Sequence, residues 1–286
     1  MRAQCIRRIW PFCTAALMLL FGSGCAMIRR GPAVMVDALL QQEDPDLVES
    51  GAPSYLLLID AMVEASPGNP KYLLAAADAN MAYAAAFLNQ VEPDRARIMY
   101  RKARDYGLKV LCRNRLFRKV ADKPLREFET AIPTFRKRDV PALYATATAW
   151  AGWIVNNSDS MEATSQLSKA VALMQRVLEL DPGYQSGGAH LFFGIYCAVQ
   201  PRGAGQDLAK SKEHFERAMA YGGPDNLLPR VAYAEFYARY MFDETLFEET
   251  LEAVLAHEAD VPKFRLMNAV SKRRAEALLD EMDDLF

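Results

Sequence analysis

The sequence predicts an all-α fold in which pairs of helices close into a globular bundle. Apolar residues and alanines recur at helical spacing along most of the chain. Beyond Cys25 no stretch alternates apolar and polar residues, and no β-branched run sits between turns. Clusters of Pro, Gly, Asn and Asp divide the periodic segments. Of the 286 residues, 51% are hydrophobic and 24% charged, which is far too apolar for disorder. A net charge of −2 argues against nucleic-acid binding, which usually needs a basic surplus.

The first segment reads as an address. Arg2, Arg7 and Arg8 precede an apolar run of 13 residues, Ile9 to Phe21. A spanning helix needs about 20 apolar residues, so the run suits a signal peptide better than a membrane anchor. Gly22, Ser23 and Gly24 then lead to Cys25, an order similar to a bacterial lipobox with Gly22 in the usual Leu position. The expected organisation is a signal over 1–24, a lipidated Cys25 and linker over 25–33, and one helical domain over 34–286. An ordinary secretory signal with a chance Cys is the alternative. Ala26 after Cys25 is compatible with transfer to the outer membrane.

Helices are expected at 34–42, 54–65, 71–89, 94–112, 124–131, 141–155, 160–180, 185–199, 207–221, 228–241, 244–257 and 265–283. Pro70, Pro93, Pro141 and Pro182 mark starts, since Pro suits the first helical turn. Residues 77–110 match tetratricopeptide spacing without gaps: Ala84, Phe87, Ala96, Tyr100 and Ala103 occupy the small and large positions. Small residues let antiparallel helices approach, and large ones fill the groove beside them. Ala170, Met174 and Val177 keep the same spacing in another pair. Gly194, Phe215 and Ala218 keep it in a third, with a longer loop, and Ala234 and Tyr237 mark a weaker fourth. Repeats this degenerate give a closed bundle in place of a regular superhelix.

Enzyme motifs are missing: there is no G-x-S-x-G, H-E-x-x-H or Walker loop. No nucleophile, base and orienter can be named, so an envelope hydrolase is disfavoured. His190, His214 and His257 are too scattered for a metal site, and no metal or cofactor is expected. His214 reads as a surface residue. Cys112 and Cys197 read as buried free thiols, with a disulfide as the alternative. The basic run from Arg95 to Lys119, Arg104 included, and the acidic C-terminus read as solvated faces or as a contact between subunits or with a partner.

The aromatic residues carry more. Trp150 and Trp153 share a helix face that Asn157 continues. His190, Phe193 and Cys197 line one side of a later helix, and Tyr233, Tyr237 and Tyr240 one side of another. A plain core would account for such rings. However, Trp, His, Asn and Tyr each carry a polar end that needs a partner when buried, which also suits the wall of a cavity. Trp150, Trp153, Asn157, His190, Phe193, Tyr233 and Tyr237 are therefore the candidate lining of a central cavity for a mostly apolar ligand.

From Pro141 to Ala277 the order of Ala149-Trp150-Ala151-Gly152-Trp153-Ile154, Leu180-Asp181-Pro182-Gly183-Tyr184, Gly187-Gly188-Ala189-His190-Leu191 and Tyr233-Ala234-Glu235-Phe236-Tyr237 resembles the T-component (TatT-type) lipoproteins of TRAP transporters. The resemblance implies a periplasm-facing, lipid-anchored protein of a Gram-negative outer membrane. It also implies a homotrimer with a pore or deep cleft through each subunit. The partner it implies is the periplasmic solute-binding P-component, and the ligand a small hydrophobic or organic-acid molecule. A tetratricopeptide-like lipoprotein scaffold for envelope assembly is the alternative.

Overall fold

The computed structural model describes residues 38–286 apart from Gln90 and Ala204, so the expected signal, Cys25 and the linker lie outside the described residues. Among the described residues there is no β-strand, and no helix is long and apolar enough to cross a membrane. Helix α1 spans Pro45–Ala65, capped by the Asp44 carboxylate, which accepts from the Asp46 and Leu47 amides at 2.9 and 3.1 Å. It starts nine residues before the expected 54 and runs through Pro53. Pro53 cannot donate to the carbonyl of Glu49, and the Tyr83 hydroxyl reaches that oxygen at 3.4 Å instead.

Helix α2 spans Pro70–Tyr83 and widens into a π segment, Ala84–Leu88; α3 spans Pro93–Leu111. Two short helices follow, α4 (Arg115–Val120) and α5 (Leu125–Glu129). The first was not expected, although the Asn114 side chain caps it at the Leu116 and Phe117 amides. Phe117 lies edge-on to both Phe128 and Phe135, with ring centroids 5.2 Å apart in each pair, and anchors this irregular stretch. Helix α6 covers Val140–Val155. The single helix expected at 160–180 is instead one turn, Met161–Thr164, followed by α7 (Leu167–Leu180). Then come α8 (Tyr184–Val199), α9 (Leu208–Gly222) and α10 (Leu228–Ala232), the last continuing through a π segment, Tyr233–Ala238. Helices α11 (Glu244–Leu255) and α12 (Arg265–Asp280) complete the bundle.

The small residues do the packing work expected of their spacing. Ala84, Phe87, Ala96, Tyr100 and Ala103 are all buried in one cluster between α2 and α3. Ala170, Met174 and Val177 are fully buried beneath α6. Phe215 of α9 lies against Gly194 of α8, so closely that a Cβ there would stand 3.0 Å from the ring. Between α3 and α6 the approach is tighter, since a Cβ on Gly107 would fall 2.2 Å from Thr146 Oγ1 and one on Gly152 2.4 Å from the Tyr100 ring.

Helix α12 joins the two ends of the chain. Leu266, 6% exposed, is buried with Val48, Ala52 and Leu56 of α1. About two and a half to three turns later Ala275 and Leu278 are buried with Leu227, from the segment before α10, and with Phe247 and Leu251 of α11. Arg273 also reaches Asp46 at 2.7 Å and Glu49 at 3.7 Å. Those ion pairs are exposed and contribute about 0–1 kcal/mol each. Burying Leu266 contributes roughly 1.5–3 kcal/mol. The apolar plug therefore closes the bundle, and the ion pairs decorate it.

Two stability predictions follow from this packing. Leu266→Ala should lower unfolding stability by roughly 2–5 kcal/mol, whereas Arg273→Ala should change it by less than about 1 kcal/mol; urea titrations compare them. Gly107→Ala should destabilise, because overpacking against Thr146 costs roughly 1–3 kcal/mol and exceeds the ~0.8–1 kcal/mol gained in helix propensity. Gly51→Ala in α1, with nothing within 4 Å of its Cβ position, should stabilise by that propensity gain alone.

Candidate functional site

The residues expected to line a cavity fall into three aromatic groups. In the first, Trp150 of α6 is 3% exposed, its indole N–H donates to Gln166 Oε1 at 3.0 Å, and its ring meets Phe128 edge-on at 6.2 Å. Its polar end is thus satisfied within the largest core cluster. Trp153, one turn on, is half-buried. The Arg104 guanidinium stands 4.5 Å from the Trp153 ring centroid and 5.7 Å from that of Trp150. Arg104 is consequently a packing residue in a run expected to be solvated, its stem and head covering two indoles. Asn157 is half-buried in the turn after α6, where its carbonyl accepts from the Ser160 amide at 3.0 Å.

In the second group, His190 Nδ1 of α8 lies 3.0 Å from His214 Nδ1 of α9, and the His190 ring stacks on Tyr221 at 5.6 Å. Phe193 packs on His214 with centroids 5.4 Å apart. His214, expected at the surface, is half-buried because Gly194 lets α9 press onto α8. A hydrogen bond between the two Nδ1 atoms requires one ring to donate and the other to accept, so at least one of the two rings is neutral in this arrangement. Burial, then the neighbouring His214 and Arg217, lowers the His190 pKa to about 4, and burial lowers that of His214 as well. Among the described residues no three His, Cys, Asp or Glu side chains are grouped to hold a metal ion.

The third group is the stacked pair Tyr233 and Tyr237, centroids 4.7 Å apart, with Phe215 edge-on to Tyr233 at 5.7 Å. Phe215 adjoins His214 in sequence and so links this group to the second. Burial pushes the Tyr233 hydroxyl up to about 12.

A fourth cluster was not read from the sequence. Asp78 of α2 is solvent-accessible, yet surrounding protein pushes its carboxyl up to about 7, with burial as the cause. Its charge raises the hydroxyls of Tyr55 on α1, Tyr144 on α6 and Tyr184 at the start of α8, after burial in each case. Tyr144 and Tyr184 meet edge-on at 5.4 Å. A Cβ on Gly188 would stand 2.4 Å from the Tyr144 hydroxyl, so only glycine leaves room for it. Between Tyr184 and Gly188 the backbone is left-handed for three residues: Gln185 (φ 49°), Ser186 (φ 56°) and Gly187 (φ 83°). For the two non-glycines this costs roughly 1–2 kcal/mol each, strain of a kind that clusters at functional sites. Gly187-Gly188 was the only sequence signal for this cluster, and helical periodicity concealed the turn.

A shallow groove of about 240 Å³ also opens on the outer surface beside Ile132, Pro133, Ala172 and Arg176. It contains none of the aromatic groups, and its guanidinium is engaged by Glu179 at 2.8 Å and by the Phe135 carbonyl. Cys112 and Cys197 are free thiols, half-buried, and burial raises the pKa of both.

The histidine pair predicts a signed pH response. Because folding holds His190 neutral, the unfolded chain binds more protons between pH 6.5 and about 4. Stability is therefore full above the unfolded value and declines as pH falls through that window, by about 3 kcal/mol at most for His190. The double substitution His190→Gln, His214→Gln should flatten the fall in Tm between pH 6.5 and 4.

Comparison with known proteins adds the last observation. The family model of the TRAP transporter T-component matches residues 41–286. An uncharacterized protein of Treponema pallidum (strain Nichols) is 23% identical over 263 residues, which is 86% of this chain and 81% of that protein. T-components are non-catalytic accessories of transport, in keeping with side chains arranged for packing and recognition. The family match takes in all twelve helices from α1 to α12, and the chain belongs to the TRAP transporter T-component family.

Proposed function

We propose that this T-component is a lipid-anchored carrier that holds a small, largely apolar ligand in a recess enclosed by its ring of helices. In this reading it exchanges the ligand with a periplasmic solute-binding P-component docked over the mouth. Cys25 is the lipidated residue, and the outer membrane is the anchoring surface. The tetratricopeptide-like helix pairs are the wall, and three subunits associate. Family membership supports the transport role and the P-component partner.

One observation carries the recess. Asp78 and Tyr144 keep solvent-accessible surface and still feel the electrostatic penalty of burial, as expected for side chains on the wall of an enclosed, solvent-filled space. The closure of the ring by α12 supplies the enclosure. Trp153, Asn157 and Tyr233, which retain accessible surface, face the ligand in this reading. Trp150, His190, Phe193 and Tyr237 back the wall. No bond of the ligand is made or broken, so apolar contact and one polar anchor suffice.

The test is chemical. Organic extraction of the purified protein followed by mass spectrometry should release a small molecule at near-stoichiometric yield, and Trp153→Ala with Tyr233→Ala should lower that yield several-fold. Mild-detergent purification should bring down a solute-binding protein. An empty extract combined with unimpaired uptake in the double variant would rule the carrier out, and an outer-membrane assembly complex in the eluate would favour the scaffold.

A further inference from the structure

Two exposed apolar patches of this protein lie among charges of a single prevailing sign, and the two signs are opposite. The first patch is on α4. Phe117, fully buried, roots that helix against Phe128 and Phe135, while its neighbour Leu116 projects into solvent, 54% exposed. Arg115, Arg118, Lys119, Lys123 and Arg126 flank it against two carboxylates, Asp122 and Glu127. All five cations are exposed, and among the described residues none of them pairs with a carboxylate. The second patch is at α11. Phe242 is 65% exposed in a left-handed turn beside Arg202, and the partly exposed Phe286 ring rests 5.2 Å from that of Phe247. That contact lays Asp283 and Asp284 beside α11, whose Glu244, Glu248 and Glu252 share one exposed face. These five carboxylates have no cation partner among the described residues. Other surface helices neutralise themselves: Arg97 meets Asp94 at 2.8 Å on α3, Arg176 meets Glu179 at 2.8 Å on α7, and Arg217 meets Glu213 at 2.7 Å on α9. Like charges four residues apart weaken a helix, so α11 carries a repulsion that asks for an external partner.

We propose that the α4 knob of one copy of this protein docks on the α11 face of a second copy, with Leu116 against Phe242 and Phe286 and the cations over the glutamates and aspartates. The proposal rests on the association of subunits read above and assigns the surfaces that make it. An apolar centre inside a charged rim is the anatomy of a specific interface, the centre supplying affinity and the rim register. Phe117 and Phe247 root the two patches in separate core clusters, so each copy presents both and the contact runs head to tail. Contacts of that kind form a ring when the rotation between copies closes. An anionic lipid surface would answer the α4 knob alone and leave the acidic face unmatched. A second copy answers both with one contact.

Sedimentation velocity of the purified protein and of two charge-reversed variants tests this. One variant carries Arg115→Glu with Arg118→Glu, the other Glu248→Lys with Glu252→Lys. All four side chains are exposed, so folding is not at stake, and thermal melts check it. Each variant alone should associate at least about ten-fold more weakly than the unaltered protein, and salt of about 1 M should weaken the unaltered protein in the same direction. An equimolar mixture of the two variants should assemble again, because each reversed patch then meets its complement on the other variant. Association that ignores both reversals, or a mixture that stays apart, would overturn the assignment of surfaces and leave association itself standing. An unaltered protein that is monomeric at low salt would remove the association and the assignment together. Binding to phosphatidylglycerol vesicles that Arg115→Glu with Arg118→Glu abolishes, with the oligomer unchanged, would give the α4 knob to a lipid surface instead.

Discussion

The burial of Leu266 among the side chains of α1 is the constraint on which the architecture depends. A chain of antiparallel helix pairs naturally grows into an open stack, because each pair needs only its neighbours. Here the last long helix turns back on the first. One part of α12 enters the N-terminal cluster, and another completes the cluster of α10 and α11. The first and last long helices are thereby packed into one bundle. Solvent-exposed arginine pairs at the same junction fix orientation more than they add stability.

Closure has an electrostatic consequence. A carboxyl on the outer surface of a helix is fully hydrated, and a short helix such as α2 carries it without penalty. Asp78 is surrounded by protein on several sides, so its charge is disfavoured even where water reaches it. The left-handed turn at 185–187 lies beside the same cluster and brings Tyr184 to Tyr144 at a cost in backbone strain. A desolvated acid, the unpartnered Tyr55 hydroxyl and the left-handed turn at 185–187 are locally unfavourable features of the bundle. In the largest core cluster the Trp150 N–H is satisfied by Gln166, and His190 and His214 are paired across α8 and α9.

Repeat spacing was the most legible signal. Ala84, Phe87, Ala96, Tyr100 and Ala103 could be named as a packing set because helix-to-helix contact needs small residues at fixed intervals, and all five are buried together. Element edges were less legible. Helix α1 starts nine residues before the expected 54 and runs through Pro53, where Tyr83, distant in sequence, reaches the carbonyl that Pro53 cannot answer. Arg104 looked like one charge in a solvated run, but two indoles from another helix cover it. Asp78 could not be picked out at all, since an Asp among alanines carries no local mark of what will surround it.

The sequence by itself determined the helical class, the pairing of neighbours and the family, because these rest on periodicity and on residue order, both local properties. Only the tertiary structure decided which rings fill the core and which polar groups find partners there. That division depends on contacts between residues far apart in the chain, such as Leu266 with Val48 and His190 with His214, and on the dielectric surroundings those contacts create.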